Sequence, residues 1–347
     1  MNLSVSHTLT SRHGGCTLTG ALSVTTQVRD AASIVHGPRG CAHHNFSLLH
    51  ATHLDHERAV LPALVSSALG ESDIVFGGEE ALTRTIRSAC NRDVPAVFVL
   101  STCVVAAIGD DVEAVCGRDW PVPVIPVRTA GFLGGIFQDG VNNALMTLAD
   151  LAGSAPGCPW VNIVGEKNLE YEVEENYAEV VRLLDLLGLP VGIRFVHNIP
   201  IGDIASLGAA RLNILRDPSL LPVGEHLRQR FGTPYVPSFP AGLSDTLAFL
   251  GSVAAACGID AGEALCTEKD LQDRLLADFA DIGDTGGDFS GPVADPECSR
   301  AALEAARALN IRVGGETGGR HRLPVDPVVG TSGVRRMLHR WRRAIHA

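Results

Sequence analysis

The chain has 347 residues, of which 46% are hydrophobic and 19% charged, and its formal net charge at pH 7 is -11. This length exceeds what one hydrophobic core usually serves, so we expect two or three domains. The acidic balance disfavours a nucleic-acid-binding protein, which needs a basic face. No apolar run reaches the roughly 20 residues that span a bilayer, so we expect no membrane contact.

The cysteines and the N-terminus indicate a cytoplasmic protein. The first fifteen residues lack a basic start followed by an apolar run, so we expect no secretory signal. Nine cysteines in such a chain are expected to be reduced thiols. They form no CxxC pairs, which disfavours a zinc ribbon.

Lysine occurs only at Lys167 and Lys269, so the chain contains no Gly-Lys-Ser or Gly-Lys-Thr sequence. A P-loop needs that lysine to reach the phosphates of a nucleotide. If the chemistry of this protein requires ATP, we therefore expect another chain to hydrolyse it.

Short apolar runs alternate with helical patterns, in the order expected of parallel sheets covered on both faces. The first run, 33–36, leads into a glycine turn. The later predicted strands are 72–78, 94–103, 122–129, 160–165, 191–197, 211–215 and 311–315. The predicted helices are 79–90, 108–117, 140–153, 170–189, 201–210, one from about residue 242, 298–310 and a basic terminal segment, 332–347. The stretch SAPGCP, 154–159, predicts a linker.

Two cysteines follow the ends of predicted strands. In SIVHGPRGCAHH, 33–44, the glycines and proline predict a tight turn that holds Cys41 close to a strand end. Cys103 ends the buried run 94–103. Functional sites of open parallel sheets lie beyond the carboxyl ends of the strands, so both thiols are expected at one edge.

A third candidate, Cys16, also follows glycines. Thiolates are the usual ligands of iron–sulfur clusters. Three loop cysteines could meet only through the fold, however, and the spacing alone leaves small buried thiols as the alternative. Cys90, Cys116 and Cys257 fall in helical patterns and are predicted to be such core thiols. Three others, Cys158, Cys266 and Cys298, are not assigned a role.

Three histidines, His50, His53 and His56, recur at a spacing that keeps them near one face of a helix. Such a face could bind zinc. The alternative is a polar helix face or part of the lining of a substrate cavity.

Six segments, in order along nearly the whole chain, resemble the nitrogenase component 1 family. They are CTLTGAL (16–22), IVHGPRGC (34–41), ESDIVFGGEEAL (71–82), STCVVAAIGDDVEAV (101–115), GFLGGIFQDGVNNAL (131–145) and FGTPYVPSFPAGLSDTLAFL (231–250). The resemblance implies an α/β fold with two to three Rossmann-like parallel-sheet domains, the last one reduced. We place them at 1–155, which would bind the cluster, at 156–260, and at 261–347 with the basic terminal helix.

In this family three cysteines of each subunit hold an iron–sulfur cluster near a subunit interface. The resemblance carries these roles onto Cys16, Cys41 and Cys103 and implies a 4Fe-4S cluster. Val-Val-Ala-Ala follows Cys103, where many members have a Glu, so a polar relay at that position is in doubt. The late-chain Cys and His that anchor the nitrogenase metal cofactor have no match, because His226, His321 and His339 lack that context. Dinitrogen reduction is therefore not expected.

In its compact form the chain resembles one branch of the family, the nickel-sirohydrochlorin a,c-diamide reductive cyclases of coenzyme F-430 biosynthesis. That likeness implies multi-electron reduction of a nickel tetrapyrrole with closure of a lactam ring. It also implies a homodimer that receives electrons from an ATP-dependent iron–sulfur reductase resembling the nitrogenase Fe protein. ATP would be used by that partner and not bound by this chain.

Side chains beside the cluster cysteines are candidates for the remaining chemistry. His13, His43 and His44 could donate protons near neutral pH, and Arg12 and Arg39 could contact substrate carboxylates. The alternative for each is a solvent-facing loop residue. Two other functions stay open: reduction of another tetrapyrrole or an organosulfur compound, and a non-catalytic scaffold for metal-cluster assembly.

Overall fold

The computed structural model describes residues 14–153, 157–283, 289–290, 296–311, 313–314, 321–322 and 328–346. The helices are α1 Thr17–Thr25, α2 Arg39–Asp55, α3 Glu71–Phe76, α4 Glu79–Cys90, α5 Cys103–Ile108, α6 Val112–Cys116, α7 Phe137–Ala149, α8 Val173–Asp185, α9 Leu221–Phe231, α10 Ser244–Cys257, α11 Gly262–Asp278, α12 Ala280–Gly283, α13 Pro296–Ala308 and α14 Gly330–His346. Three 3-10 helices lie at Gly131–Leu133, Ile201–Ala209 and Pro218–Leu220.

The strands form three sheets. They are β1 Ala32–His36, β2 Leu64–Ser66, β3 Val97–Ser101, β4 Val124–Val127, β5 Val161–Val164, β6 Val191–Phe195, β7 Leu212–Leu215, β8 Tyr235–Val236, β9 Phe289–Ser290, β10 Val313–Gly314 and β11 His321–Arg322. The sheet orders are β2-β1-β3-β4, β6-β5-β7-β8 and β10-β9-β11. The predicted α/β class is confirmed.

The topological switch point of the first sheet, where the strand order reverses, lies between β1 and β3. All its neighbouring strands are parallel, and the chain passes from β1 to β2 on one side before returning to β3 on the other. Every residue of β1 is buried, as are the first four of β3, which explains why apolar residues predominate in both strands. The second sheet repeats this order, with its switch between the parallel strands β5 and β7.

The chain divides into two compact units. Of the described residues, one unit comprises those between 14 and 171 together with 192–235, and the other comprises 172–191 together with those from 236 onward. The first contains a core in which Leu18 of α1, Leu145 of α7 and Phe195 of β6 belong to one buried cluster. The predicted boundaries at 155 and 260 stay predictions, and residues 154–156 of the predicted linker lie outside the described residues.

The second unit has its own core and contains the basic terminal helix. Trp341 of α14 is completely buried there among apolar side chains. Arg336 and Arg340 form ion pairs with Glu172, and Arg342 pairs with Asp281. The basic face of this helix is therefore matched by acidic residues of its own unit. In the described parts of the chain, we find no helix with the length and apolarity needed to cross a membrane.

Two local predictions differ from the structure. The predicted strand at 72–78 is wrong, because this segment forms helix α3. Its first turn is closed by a hydrogen bond from the Gly70 amide to the Asp73 carboxylate (2.9 Å), and a short apolar run does not by itself distinguish a strand from a helix. The predicted helix at 201–210 is a 3-10 helix. Several elements were not predicted: strands β2, β8, β9 and β11 and helices α1, α9 and α11 have no counterpart among the predicted elements.

Candidate functional site

Cys41 and Cys103 follow the two strands that flank the switch point of the first sheet. After β1, Pro38 caps helix α2, and Cys41 is the third residue of that helix. After β3, Thr102 caps α5, and Cys103 is its first residue. The thiols thus lie beyond the carboxyl edge of the sheet as expected, but on the first turns of helices and not on loops.

Cys16 is the N-cap residue of α1. This helix lies against α7 at backbone contact distance, because a Cβ atom on Gly140 would lie 2.0 Å from the carbonyl oxygen of Thr17. Thr17 also donates a hydrogen bond from its hydroxyl to the carbonyl of Gly131 (2.8 Å). The close helix crossing therefore fixes the start of α1, and with it Cys16, beside the segment that follows β4.

Cys16 and Cys103 both lie close enough to Cys41 to act on it electrostatically. Burial raises the pKa of Cys41, and the charges of Cys103 and Cys16 raise it further. Each of the three residues is half-buried. The structure therefore brings together three cysteines that are 25 and 62 residues apart in the sequence.

Two glycines allow the backbone to approach these cysteines. Gly131 has a φ of +54°, and a Cβ atom there would lie 2.9 Å from Cβ of Cys103. Gly37 has a φ of +154°, and its Cβ atom would lie 2.2 Å from the hydroxyl of Thr102. That hydroxyl is buried and has no hydrogen-bond partner in the described parts of the chain. Any larger side chain at either position would displace the start of α5.

The donor set suits an iron–sulfur cluster better than a single metal ion. One ion would need its sulfur ligands about 2.3 Å away, and among the described residues no group of three His, Cys, Asp or Glu side chains is arranged to hold one. A cluster gives each thiolate its own iron, so its ligands lie farther apart.

Of the other candidates near the cluster cysteines, Arg39, His43 and His44 lie on exposed positions of α2. Their side chains make no hydrogen bond or ion pair with the described residues. They are therefore available to a ligand. Arg12 and His13 lie outside the described residues.

The histidine run on α2 and beyond it does not form a metal site. Nδ1 of His53 bonds the carbonyl of Val60 (3.0 Å), and Nε2 of His56 bonds the carbonyl of Glu170 (2.6 Å). His50 stacks on Phe46. Because no metal-binding group is present among the described residues, the zinc hypothesis has no support in this structure.

Two of the predicted core thiols are confirmed as such. Cys116 and Cys257 end helices α6 and α10 and are buried. Burial raises the pKa of Cys116 to about 12, so its thiol stays protonated. Cys90 ends α4 and is half-buried.

A buried polar network at the end of β1 was not predicted from the sequence. Nδ1 of His36 lies 2.9 Å from the hydroxyl of Ser67, and its Nε2 lies 3.1 Å from the Asp110 carboxylate. The Gly78 amide also donates to Asp110. The network joins the strand that leads to Cys41 with the loop after α5, the helix that begins at Cys103. The only sequence signal was a histidine at the end of an otherwise apolar strand.

We expect His36 to make the free energy of unfolding depend on pH. Burial lowers its pKa, and the charges of Asp110, Asp73 and Glu79 offset only part of that effect. As the pH falls below about 6.5, the unfolded chain therefore gains a proton that the folded chain resists, and stability falls by up to about 1.4 kcal/mol per pH unit. Urea unfolding on either side of that pH should show a weaker pH dependence for His36→Gln than for the wild type. Equal dependence in the two proteins would contradict the assignment.

A second group that the sequence analysis missed lies at the switch point of the second sheet. Its charged residues follow β5 and β7 or lie on β6, and they are Glu166, Lys167, Glu170, Arg194, Arg216 and Asp217. Nε of Arg194 lies 2.8 Å from Glu166, and Arg216 lies 3.4 Å from Glu170. Three cations and three carboxylates balance, so this group forms an ionic network that stabilises the sheet edge. Charged residues directly after buried strands were the available signal.

Comparison with known proteins agrees with the family resemblance of the sequence motifs. The family model of nitrogenase component 1 type oxidoreductases matches residues 16–284. The nitrogenase iron-molybdenum cofactor biosynthesis protein NifE of Nostoc sp. is 31% identical over 273 residues, covering 76% of this chain and 55% of that protein. NifE of Clostridium pasteurianum is 30% identical over 262 residues, covering 74% and 56%. The chain thus spans about half the length of these curated relatives.

A solved structure described as nitrogenase Cp1 at pH 5 has a similar fold. It superimposes with a TM-score of 0.67 and 20% identity, covering 90% of this chain and 65% of that chain. The similarity extends beyond the first sheet to most of the molecule.

Proposed function

Because the chain belongs to the family of nitrogenase component 1 type oxidoreductases, we propose that it holds one 4Fe-4S cluster through Cys16, Cys41 and Cys103 and is the substrate-reducing subunit of a nitrogenase-like enzyme. The observation that carries this proposal is the convergence of the three thiols beside the switch point of the first sheet. Carboxyl edges at switch points are where open α/β sheets bind ligands.

When bound, the cluster supplies one-electron transfer. Cys16, Cys41 and Cys103 would hold the cluster at the sheet edge and partly exclude water from it, since all three residues are half-buried. An ATP-dependent reductase partner would deliver the electrons, because this chain has no P-loop lysine.

The substrate we propose is a nickel tetrapyrrole, nickel-sirohydrochlorin a,c-diamide, reduced with closure of a lactam ring. Arg39 would bind a substrate carboxylate through its planar guanidinium. His43 and His44 would hold protons close to the reacting ring. All three are exposed on the helix that carries Cys41, which supports a substrate lying over this face. The nickel belongs to the substrate and needs no protein ligand.

The test combines the anaerobic protein with its reductase, ATP and the nickel tetrapyrrole. Reduction of the ring should change its visible absorption, and omission of ATP should prevent the change. If this substrate stays unchanged while another tetrapyrrole or an organosulfur compound is reduced, the substrate assignment fails and the reductase assignment stands.

A second candidate function is a scaffold on which a metal cluster is assembled and transferred. Similarity to the NifE cofactor biosynthesis proteins favours it. A scaffold should lose iron to an acceptor protein within one incubation, whereas a reductase should retain its iron through many turnovers. Iron analysis of the two proteins after separation distinguishes these functions.

Exposed apolar side chains flank the cysteine site and suit two partners. Phe132 and Leu133 are 75% and 68% exposed on the segment next to Cys103. On α3, which contacts α5, Phe76 is 88% exposed. Large exposed apolar groups of this kind mark protein interfaces. We assign the Phe132 surface to a second copy of the chain and the Phe76 surface to the reductase.

We expect Phe76→Ser to slow ATP-dependent reduction about tenfold or more, because aromatic side chains at interfaces contribute much of the binding energy. The cluster and the dimer should remain intact, so a chemical reductant should reduce the cluster of the variant as fast as that of the wild type. The measurement is the rate of substrate reduction against reductase concentration.

The matched control is Phe132→Ser. It should shift the protein from dimer to monomer in size-exclusion chromatography, whereas Phe76→Ser should not. Identical effects of the two substitutions would disprove the division of these surfaces between two partners.

A further inference from the structure

A cavity of ≈ 290 Å³ lies at the carboxyl edge of the first sheet, beyond β3 and β4. Its lining includes Ser101, the last residue of β3, and Ala130, which precedes Gly131. Gly131 in turn contacts Cys103. The cavity therefore borders the cysteine site but contains none of the residues assigned to it above.

Three polar side chains of the lining have unused hydrogen-bonding capacity. The side chains of Arg128 and Glu113 form no hydrogen bond or ion pair with any described residue, and no ion pair joins them to each other. Asn143 uses its amide group to donate to the backbone carbonyl of Arg128 (3.1 Å), which leaves its side-chain oxygen available. The lining also includes Val112 and Val127, so the cavity combines a cation and a carboxylate with apolar surface.

The backbone that presents Arg128 is fixed on both sides. The hydroxyl of Thr129 donates to the carbonyl of Ser101 (2.9 Å), which ties this segment to β3. The bond from Asn143 ties it to α7. Val127 is buried directly before Arg128. A site on such a fixed segment loses little conformational freedom when a ligand binds.

We propose that this cavity binds a substrate side arm that carries a carboxylate close to a hydrogen-bond donor such as a carboxamide. Arg128 bonds the carboxylate, and Glu113 accepts from the donor. Pockets for whole small molecules measure about 300–1,000 Å³, so this cavity admits a side arm and not a macrocycle. The assignment rests on the proposed function, because the tetrapyrrole named there carries both acid and amide arms.

Spectral titration of the anaerobic full-length protein with nickel-sirohydrochlorin a,c-diamide tests the assignment. Arg128→Gln should weaken binding about tenfold or more, since it removes a charge-assisted hydrogen bond. The matched control is Arg87→Gln, which changes an exposed arginine of α4 that also has no partner among the described residues. It should bind as the wild type does, and iron content should be equal in all three proteins.

Glu113→Gln separates the two halves of the site. It should weaken binding of the tetrapyrrole diamide by severalfold but not weaken binding of the tetrapyrrole with free acid arms, which offers no amide donor and whose carboxylates the Glu113 carboxylate repels. Equal tetrapyrrole affinity of Arg128→Gln and wild type would overturn the inference while the proposed function stands.

Glutamine, which carries the same groups as a free molecule, is the second probe. Arg128-dependent binding of glutamine without Arg128-dependent binding of the tetrapyrrole would overturn the side-arm assignment in favour of a free amino acid. If the wild type binds no tetrapyrrole at all, the proposed function fails, and the side-arm assignment fails with it. Glutamine titration then decides separately whether the cavity binds a carboxylate together with a carboxamide.

Discussion

Cys103→Ala should reduce the iron content of the anaerobically purified protein to near zero and abolish substrate reduction. Cys103 begins α5 directly after the central strand β3. Its charge raises the pKa of Cys41, which places the two thiols close together. Removing one of three thiolates leaves too few protein ligands to hold a cluster that is bound chiefly by cysteine.

The control is Cys257→Ala, which changes a buried thiol at the end of α10. This variant should retain its iron and its activity. Iron determination and the visible absorption of the cluster measure both variants. Equal iron loss in the two would show that the division between ligand and core cysteines is wrong.

Gly140→Ala should destabilise the unit that holds the cysteine site by about 3 kcal/mol or more, at the upper end of the cost of overpacking. A methyl group there would lie 2.0 Å from the carbonyl oxygen of Thr17, and one on Gly20 would lie 1.9 Å from that of Phe137. These are backbone atoms of the crossing helices α1 and α7, so no side-chain rotation relieves the collision. The helices must separate, which moves Cys16 as well.

Urea unfolding of wild type, Gly140→Ala and Gly202→Ala tests this expectation. Gly202 lies in the same unit with open space around its Cα, so its substitution should change stability by less than about 1 kcal/mol. The Gly140 variant should also lose iron although it keeps all nine cysteines. A Gly140→Ala protein as stable as the Gly202 variant would contradict the close helix crossing.

The alternation of strands and helices could be predicted because it depends on local sequence. The runs that became β1 and β3 are buried on both faces, so apolar residues occupy most of their positions. Helix α4 has a strongly one-sided apolar pattern, and its predicted bounds, 79–90, match the structure. Strand ends then located Cys41 and Cys103 at one sheet edge.

Features that depend on distant contacts could not be predicted in this way. Ile74, Val75 and Phe76 have a strand-like sequence, but they remain exposed on a helix whose first turn Asp73 closes. The approach of Cys16 to the other two thiols depends on Gly20 and Gly140, which allow two helices to touch, and helix crossings leave no simple sequence pattern. Before the structure, only the resemblance to a family indicated that Cys16 belongs with Cys41 and Cys103.

The polar groups around the site were the least predictable. His36 and Asp110 meet across 74 residues, and the cavity at Arg128 depends on where α6 begins and on how α7 lies relative to β4. Each of these side chains is unremarkable in its own segment. Its role follows only from the neighbours that the sheet edge brings to it.

Metal analysis of the anaerobically purified wild-type protein tests the central claim most directly. If Cys16, Cys41 and Cys103 hold one cubane cluster, the protein should contain about four irons and about four sulfides per chain. Zinc measured in the same sample should be near zero. Zinc without iron, or a protein that takes up no iron and sulfide on anaerobic reconstitution, would contradict the account.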